Sequence, residues 1–330
     1  MKILFWGTPE FAIPSLRALD DEGFDIVGVV TRPDQPAGRG RRLTPSPIKS
    51  VALEQGLDLL TPEQPRGEAF LESIRALEPD ISVVVAYGHI LKREVLDVPR
   101  LGSVNLHASL LPELRGAAPI NWAIARGYDE TGVTVMRMVE AMDAGPIIHQ
   151  VREPILPDET AGELTVRLSE VGAAALVEAL ALLAGGAVEE VEQDHASATF
   201  APKIDRETAR IAWDRTAGEV ASHVLAMDPV PGAWTRLDDA SVKLFRPSVW
   251  SAADVDALGA EEPATNGGPR RVDTPTAPGV VVRAVPEEGV LVATAEGAVC
   301  FGEVQPSGKR RMSATDWING RGVEAGRRFE

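Results

Sequence analysis

Two side chains suited to acyl-group chemistry lie two positions apart in the segment Asn105-Leu106-His107. If this segment is a strand, both side chains point to the same face of a sheet. An amide N–H can stabilise a developing oxyanion, and an imidazole can transfer protons near neutral pH. The alternative is a buried histidine whose ring is satisfied by the backbone. The spacing alone does not decide between these two interpretations.

A carboxylate that could serve the same site is Asp143, in the turn Ala141-Met142-Asp143-Ala144-Gly145-Pro146. Placed near His107, it would orient the ring and favour the protonated imidazole. However, an aspartate in such a turn commonly caps local backbone groups instead. Both roles stay open at this point.

A glycine-rich basic segment, residues 36–42, contains Arg39, Arg41 and Arg42. Guanidinium groups bind phosphate in a bidentate manner, and glycines let a backbone approach a ligand closely. The segment is therefore a candidate phosphate-binding loop, with a solvated surface loop as the alternative.

No pattern in the sequence indicates a metal or ATP site. The five histidines are scattered outside any H-E-x-x-H pattern, and a Walker A lysine motif is absent. The single cysteine, Cys300, cannot form an internal disulfide or a multi-cysteine site. We expect no metal and interpret Cys300 as a core thiol.

Strand-like and helix-like segments alternate over the first 195 residues. Apolar strands are predicted at 2–6, 25–31, 81–87, 102–108 and 131–138, with helices at 8–21, from 47, at 117–127 and at 159–183. This order predicts a Rossmann-like, doubly wound, mostly parallel α/β sheet. Ligands of such sheets bind at the carboxyl ends of the strands, where Asn105 and His107 lie.

The chain changes character after residue 195. We expect a linker over 196–210 and a second domain over 211–330, built from short strands punctuated by Gly and Pro. A small OB-like β-barrel or a sandwich fits this pattern. Residues 254–278, rich in Pro, Gly, Ala and acids, are expected to form a surface insertion.

The acidic charge is unevenly distributed. The 330 residues include 49 acidic and 33 basic side chains, a net charge of −16 that disfavours nonspecific nucleic-acid binding. Residues 151–200 hold ten acids against two arginines, whereas residues 31–49 hold five basic residues against Asp34. No apolar run is long enough for a membrane span or a signal peptide, so we expect a cytoplasmic protein.

Seven segments together closely resemble the methionyl-tRNA formyltransferase family and occur in its order: FWGTPEFAIPSL, RPDQPAGRGRRLTPSPIK, VVVAYGHIL, LGSVNLHASLLPELRGAAPINWAI, TGVTVMRMVEAMDAGPI, ATFAPKIDRETARIAW and VQPSGKRRMSATDWINGRG. They span nearly the whole chain. The resemblance implies transfer of a formyl group from 10-formyltetrahydrofolate to the α-amino group of methionyl initiator tRNA. The resemblance does not indicate a protein partner, and we expect a monomer that has no membrane partner.

The resemblance also assigns residues by position. Asn105, His107 and Asp143 match the catalytic trio; Ser109, Leu110, Leu111 and Pro112 match the folate-binding segment, with the 86–91 loop as a neighbour. The tRNA contacts would be Arg39, Arg41 and Arg42 in the basic loop and Lys309, Arg310 and Arg311 in the second domain.

Two positions depart from the family pattern: Glu113-Leu114 replaces a basic residue followed by an aromatic, and Leu225 replaces an arginine. Two other hypotheses stay open. The chain could formylate a small amine, such as a sugar nucleotide or a ribonucleotide, or it could bind RNA or folate without catalysis.

Overall fold

The computed structural model describes residues 1–37, 40, 42–251, 253–255 and 277–330. The predictions on Arg39, Arg41 and most of the 254–278 insertion therefore lie outside the described residues. The chain divides into two units. Unit 1 comprises Met1–Pro119, Glu130–Pro154 and Leu164–Pro202, and unit 2 comprises Ile120–Asp129, Ile155–Glu163 and Lys203–Glu330.

Unit 1 is built on a mixed sheet that has seven strands among the described residues, in the order β10-β9-β7-β6-β1-β2-β5. The five strands from β7 to β5 pair in parallel, whereas β9 is antiparallel to both β7 and β10. The strands are β1 (Lys2–Gly7), β2 (Asp25–Val30), β5 (Leu59–Leu60), β6 (Ile81–Val85), β7 (Ser103–His107), β9 (Glu130–Arg137) and β10 (Ile147–Pro154).

Two short strand pairs accompany this sheet in unit 1. The first is the hairpin of β3 (Gln35–Ala37) and β4 (Arg42–Thr44), and the second joins β8 (Arg115–Gly116) in parallel to β11 (Phe200–Ala201). The second pair shows that the linker predicted over 196–210 begins with residues that belong to unit 1.

The sheet is central because its inner strands are apolar throughout. Residues 3–6 of β1 are completely buried, and every residue of β6 is buried. Parallel strands covered on both faces need such continuous apolar runs. The helices of unit 1 are α1 (Ile13–Asp21), α2 (Pro47–Glu54), α3 (Glu68–Ala76) and α4 (Arg93–Leu96). After its first residue, α5 (Pro119–Ala125) belongs to unit 2, whereas α6 (Ala161–Ala184) belongs to unit 1 from Leu164 onward. The predicted α/β fold class is confirmed.

Local capping determines where several helices begin. Ser46 accepts a hydrogen bond from the backbone N–H of Lys49 and starts α2, and Thr160 does the same with Glu163 ahead of α6. The predicted helix start at Thr8 is wrong, because α1 begins at Ile13 after a single 3₁₀ turn. The Thr8 hydroxyl instead donates to the carbonyl of Tyr87 at 2.8 Å, which ties together the loops that follow β1 and β6.

Unit 2 contains an antiparallel sheet with six strands among its described residues, in the order β12-β13-β16-β15-β14 with β17 also paired to β16. The C-terminal residues hydrogen-bond to Arg236 at one edge and to Gly279 near the other, so the sheet closes through this segment. The elements are α7 (Ala217–Met227), β12 (Trp234–Leu237), β13 (Ala240–Trp250), β14 (Val281–Val285), β15 (Gly289–Ala293), β16 (Ala298–Pro306), β17 (Met312–Ser313) and α8 (Ala314–Asn319).

The position of Cys300 on β16 confirms that it is a core thiol. Its thiol is buried, and burial raises the pKa of Cys300 to about 11. A thiol held in its protonated form in this way is a packing residue. No helix in the described part of the chain is both long and apolar enough to cross a membrane.

A partly buried ion pair in unit 2 gives a stability prediction. Arg311 forms two hydrogen bonds to the buried carboxylate of Asp228, at 2.7 and 3.0 Å, and its guanidinium stacks 3.9 Å from the ring centre of Phe245. Asp228→Ala should lower the free energy of unfolding by about 2–3 kcal/mol, since it leaves a half-buried guanidinium without its main partner.

Chemical denaturation monitored by tryptophan fluorescence checks this value. Arg100→Ala is the matched control, because it removes an exposed pair with Asp80 that should contribute less than about 1 kcal/mol. Equal effects of the two substitutions would contradict a stabilising role for the partly buried pair.

Candidate active site

Asn105 and His107 lie on β7 at the carboxyl end of the sheet. Asn105 is in register with Val84 on β6 and with Met136 on β9, while His107 is opposite Thr134. The two-residue period places both side chains on one face, as predicted. His107 is 6% exposed and Asn105 is partly exposed, so the pair lies at the border between the core and the surface.

The backbone, and not Asp143, orients the His107 ring. His107 Nε2 lies 3.0 Å from the carbonyl oxygen of Leu114. Because a carbonyl can only accept, Nε2 must be the protonated donor in this contact. This assignment leaves Nδ1 as the ring atom that can take up or release a proton.

The Asp143 carboxylate lies beside His107 without a hydrogen bond to it. Its Oδ2 is 3.9 Å from His107 Nδ1, too far for a hydrogen bond but within the distance of an ion pair. The carboxylate is held there by a 2.8 Å hydrogen bond from the backbone N–H of Gly116. This contact crosses 27 residues of sequence, so the carboxylate does more than cap its own turn.

The turn that carries Asp143 is tightly constrained. Asp143 has a φ of 51°, in the left-handed region that non-glycine residues seldom adopt. A Cβ at Gly145 would overlap the carbonyl oxygen of Arg137, so only glycine fits there. The side-chain amide of Gln193 donates to the carbonyls of Asp143 and Gly145, at 2.9 and 2.7 Å. These contacts fix the carboxylate relative to β7.

The predicted folate segment divides into anchoring and exposed positions. Ser109 and Leu111 are buried, while Leu110 and Pro112 are partly exposed. The Thr134 hydroxyl donates to the Ser109 carbonyl at 2.6 Å and accepts from the Leu111 N–H at 3.1 Å. Leu110 and Pro112 are therefore the residues of this segment that keep exposed apolar surface.

The neighbouring loop, residues 86–91, follows β6 at the same end of the sheet. Its Tyr87 side chain packs edge-on against Trp6, with ring centres 5.2 Å apart. Burial raises the pKa of Tyr87 to about 12, so its hydroxyl stays neutral. The loop is thus anchored in the core of unit 1 through Tyr87 and lies at the carboxyl end of the sheet.

The predicted tRNA-binding residues differ in their availability. Arg42 lies exposed on β4, and Lys309 and Arg310 are exposed in the turn between β16 and β17. Arg311 is instead bound to Asp228 and Glu303 within unit 2. Its ion pairs give Arg311 a structural role within unit 2, and its part in a tRNA contact stays a prediction.

The sequence did not indicate which residues hold His107, Asp143 and the 109–112 segment in place. Leu114 and Arg115-Gly116 stood in a matched segment without an assigned role, and Gln193 carried no motif. Thr134 lies within β9, and the sequence does not distinguish it from an ordinary strand residue. Within the described residues, no cluster of His, Cys, Asp and Glu side chains has the arrangement of a metal site.

Comparison with known proteins defines the class. The model of the formyl transferase family matches residues 1–180, and that of the formyl transferase C-terminal domain matches residues 203–322. The chain therefore belongs to the formyl transferase family. Solved structures give the same fold: the N-formyltransferase from Helicobacter canadensis has a TM-score of 0.65 at 16% identity, over 94% of this chain and 100% of its own.

Relatives that match nearly the full length of the chain include two methionyl-tRNA formyltransferases. The methionyl-tRNA formyltransferase of Symbiobacterium thermophilum is 45% identical over 100% of this chain and 95% of its own length. The methionyl-tRNA formyltransferase of Bacillus subtilis is 41% identical over 98% of this chain and 96% of its own. The resemblance drawn from the sequence motifs is thus confirmed.

The charge of Asp143 gives a prediction at this site. Asp143→Asn keeps an oxygen that can accept from Gly116 N–H but removes the negative charge near His107 Nδ1. We expect kcat to fall about 100-fold, because the imidazolium that forms at His107 during the reaction loses the negative charge beside it. Steady-state kinetics check the value. An unchanged kcat in Asp143→Asn would show that the carboxylate only holds its turn.

Proposed function

We propose that this protein transfers the formyl group of 10-formyltetrahydrofolate to the α-amino group of methionyl initiator tRNA. The observation that carries the proposal is the arrangement of Asn105, His107 and Asp143 at the carboxyl end of β7 and its neighbours. An amide donor, a proton-transferring imidazole and a fixed carboxylate are the groups that acyl transfer to an amine requires. Similarity to methionyl-tRNA formyltransferases over the full chain supports the choice of substrate.

Each residue of the trio has a separate task in this proposal. The Asn105 amide donates a hydrogen bond to the formyl oxygen, where negative charge develops. As the α-amino nitrogen attacks the formyl carbon, His107 Nδ1 takes up the proton that the amine loses and gives it to folate N10 when the C–N10 bond breaks, while its Nε2–H stays bound to the Leu114 carbonyl. Asp143 stabilises the imidazolium from 3.9 Å. When bound against Leu110 and Pro112, 10-formyltetrahydrofolate supplies the activated formyl group.

The domain assignment belongs to the same proposal. Residues 1–195 form the catalytic domain, 196–210 the linker and 211–330 the tRNA-binding domain. The proposed phosphate contacts are Arg39, Arg41, Arg42, Lys309, Arg310 and Arg311. We also take the protein to act as a cytoplasmic monomer, without a membrane or a protein partner.

A formylation assay tests the proposal directly. The purified protein is incubated with 10-formyltetrahydrofolate and methionyl initiator tRNA, and formylmethionine is measured after deacylation. In parallel reactions the acceptor is an amino sugar nucleotide such as dTDP-3-aminofucose, which the Helicobacter canadensis structure contains. Formylation of the tRNA alone is expected. Turnover of the amino sugar without turnover of the tRNA would replace this proposal with the small-amine hypothesis.

The exposed basic residues give a prediction about tRNA binding. Lys309→Ala combined with Arg310→Ala should raise KM for the tRNA about 10-fold and leave KM for the folate unchanged, since lost phosphate contacts weaken only the nucleic acid. Arg42→Ala should act in the same direction. Higher salt should raise the tRNA KM of the wild type more steeply than that of the double variant.

Arg246→Ala is a matched control for these substitutions. Arg246 also lies in unit 2, and its side chain is paired with Glu303 and largely exposed. Its removal should leave the salt dependence of the tRNA KM unchanged. Parallel salt slopes for the wild type and the double variant would remove Lys309 and Arg310 from the interface.

A further inference from the structure

The segment Leu114–Gly116 contacts both ionisable members of the trio through its first and last residues. The Leu114 carbonyl accepts from His107 Nε2, and the Gly116 N–H donates to Asp143 Oδ2. Between them, Arg115 is buried and directs its guanidinium toward Gln193. The geometry of the His107–Asp143 pair therefore depends on how this segment is held.

The segment is itself anchored to residues that follow Gln193. Leu114 N–H donates to the Thr199 hydroxyl at 2.9 Å, and Arg115 N–H donates to the Thr199 carbonyl at 2.9 Å. A Cβ at Gly116 would lie 2.7 Å from the Ala201 carbonyl oxygen, so β8 and β11 approach as closely as only glycine permits. The segment has little freedom to adjust if a neighbouring contact is lost.

Gln193 joins this segment to the turn of Asp143. It is only 6% exposed, and its side-chain oxygen accepts from Arg115 Nε and Nη2 at 3.1 and 2.5 Å. Its side-chain nitrogen donates to the carbonyls of Asp143 and Gly145. The two ends of one amide thus hold the segment and the turn at a fixed separation.

Arg115 determines which way this amide points. A guanidinium has donors only, so it selects the oxygen of Gln193 and leaves the nitrogen facing the two carbonyls. Nη2 of Arg115 also lies 2.9 Å from His195 Nδ1, a second acceptor. In the part of the chain that the structure describes, no carboxylate pairs with Arg115, so its charge is directed at the amide.

We propose that Gln193 is a positioning residue for the reaction: it sets the distance between the Asp143 carboxylate and His107 Nδ1 by holding the 143–145 turn against Arg115. This inference rests on the proposed function. A shift of about 1 Å in a catalytic group can reduce turnover about 100-fold, so a contact of this kind acts on kcat more than on substrate binding.

Two substitutions test the proposal. Gln193→Leu removes both donors and the acceptor, while Gln193→Glu keeps the acceptor for Arg115 but presents a carboxylate to two carbonyl oxygens. Both variants should lower kcat about 10- to 100-fold, with KM for folate and tRNA within about 2-fold of wild type. Gln305→Leu is the matched control, because Gln305 also donates to a backbone carbonyl but lies in unit 2. It should leave kcat unchanged.

A merely structural role would give a different result. It would lower the melting temperature and the active fraction, while kcat per titrated site and its pH profile stayed as in the wild type. Positioning predicts that the pH profile of kcat changes in Gln193→Leu. It also predicts that Gln193→Leu has less than about a 2-fold further effect in the Asp143→Asn background, since both act through one carboxylate. Multiplicative losses in the double variant would overturn the proposal.

A spectroscopic measurement keeps this test separate from the proposed activity. The ¹⁵N chemical shifts of the His107 ring report the proton at each nitrogen without any substrate. They should differ between wild type and Gln193→Leu even if the physiological acceptor is not methionyl-tRNA. Unchanged shifts in a folded variant would refute positioning, while failure of wild-type formylation would refute the proposed function only.

Discussion

His107→Ala is expected to lower kcat/KM for formylation about 10³- to 10⁴-fold, the largest effect of any substitution considered. The variant loses the only ring nitrogen of the trio that can exchange a proton, Nδ1, while its Nε2 contact with Leu114 is also removed. Folate binding should persist, because Thr134, and not His107, holds the 109–112 segment through the Ser109 carbonyl and the Leu111 N–H. Single-turnover kinetics and folate fluorescence measure the two effects separately.

His149→Ala is the control for that experiment. His149 also belongs to unit 1, on β10, and lies 3.0 Å from Glu178 on α6. Its loss should leave kcat within about 2-fold of wild type, because it contacts none of the trio. If His107→Ala retained wild-type turnover in a folded protein, His107 would be the buried structural histidine that the spacing alone left possible.

Asn105→Ala is expected to lower kcat about 10²- to 10³-fold, the range found when one donor to a developing oxyanion is removed. KM should change little, because the lost hydrogen bond strengthens only as charge develops. Asn105→Asp should be at least as harmful, since it replaces the donor with a negative charge of similar shape. Rapid-quench measurement of the formylation step gives the value.

Folding must be shown to survive in the Asn105 variants. Circular dichroism and folate binding provide that check, and Asn319→Ala, at the end of α8 in unit 2, is a neutral comparison. A reduced folate affinity with normal kcat would instead place Asn105 among the folate contacts. Taken with the His107 result, this outcome decides between catalysis and the noncatalytic binding hypothesis.

The main elements of the site follow from local properties of the chain. Period-two spacing predicts that Asn105 and His107 share a face, and apolar runs such as residues 2–6 predict strands buried on both sides. The start of α2 follows from Ser46 and Pro47, since a side-chain oxygen and a proline suit the first turn of a helix. The same reasoning fails at Thr8, where a contact with Tyr87, 79 residues away, uses the hydroxyl instead.

The family motifs extend this prediction to function but not to geometry. They mark Asp143 and the 109–112 segment, and full-length relatives of the same name agree with them. They do not separate buried anchors, Ser109 and Leu111, from the partly exposed Leu110 and Pro112. They also give no sign that, of three neighbouring exposed basic residues, Arg311 alone forms an ion pair with Asp228.

Spacing along the chain thus accounts for the strands, the caps and the face on which Asn105 and His107 lie, because these depend on neighbouring residues. The partners of the trio depend on packing. His107 is oriented by a carbonyl beyond the end of its own strand, and Asp143 is held by Gly116 and by Gln193, 27 and 50 residues away. Hydrogen bonds of this kind require atoms within about 3 Å, and only the folded chain brings such distant residues that close.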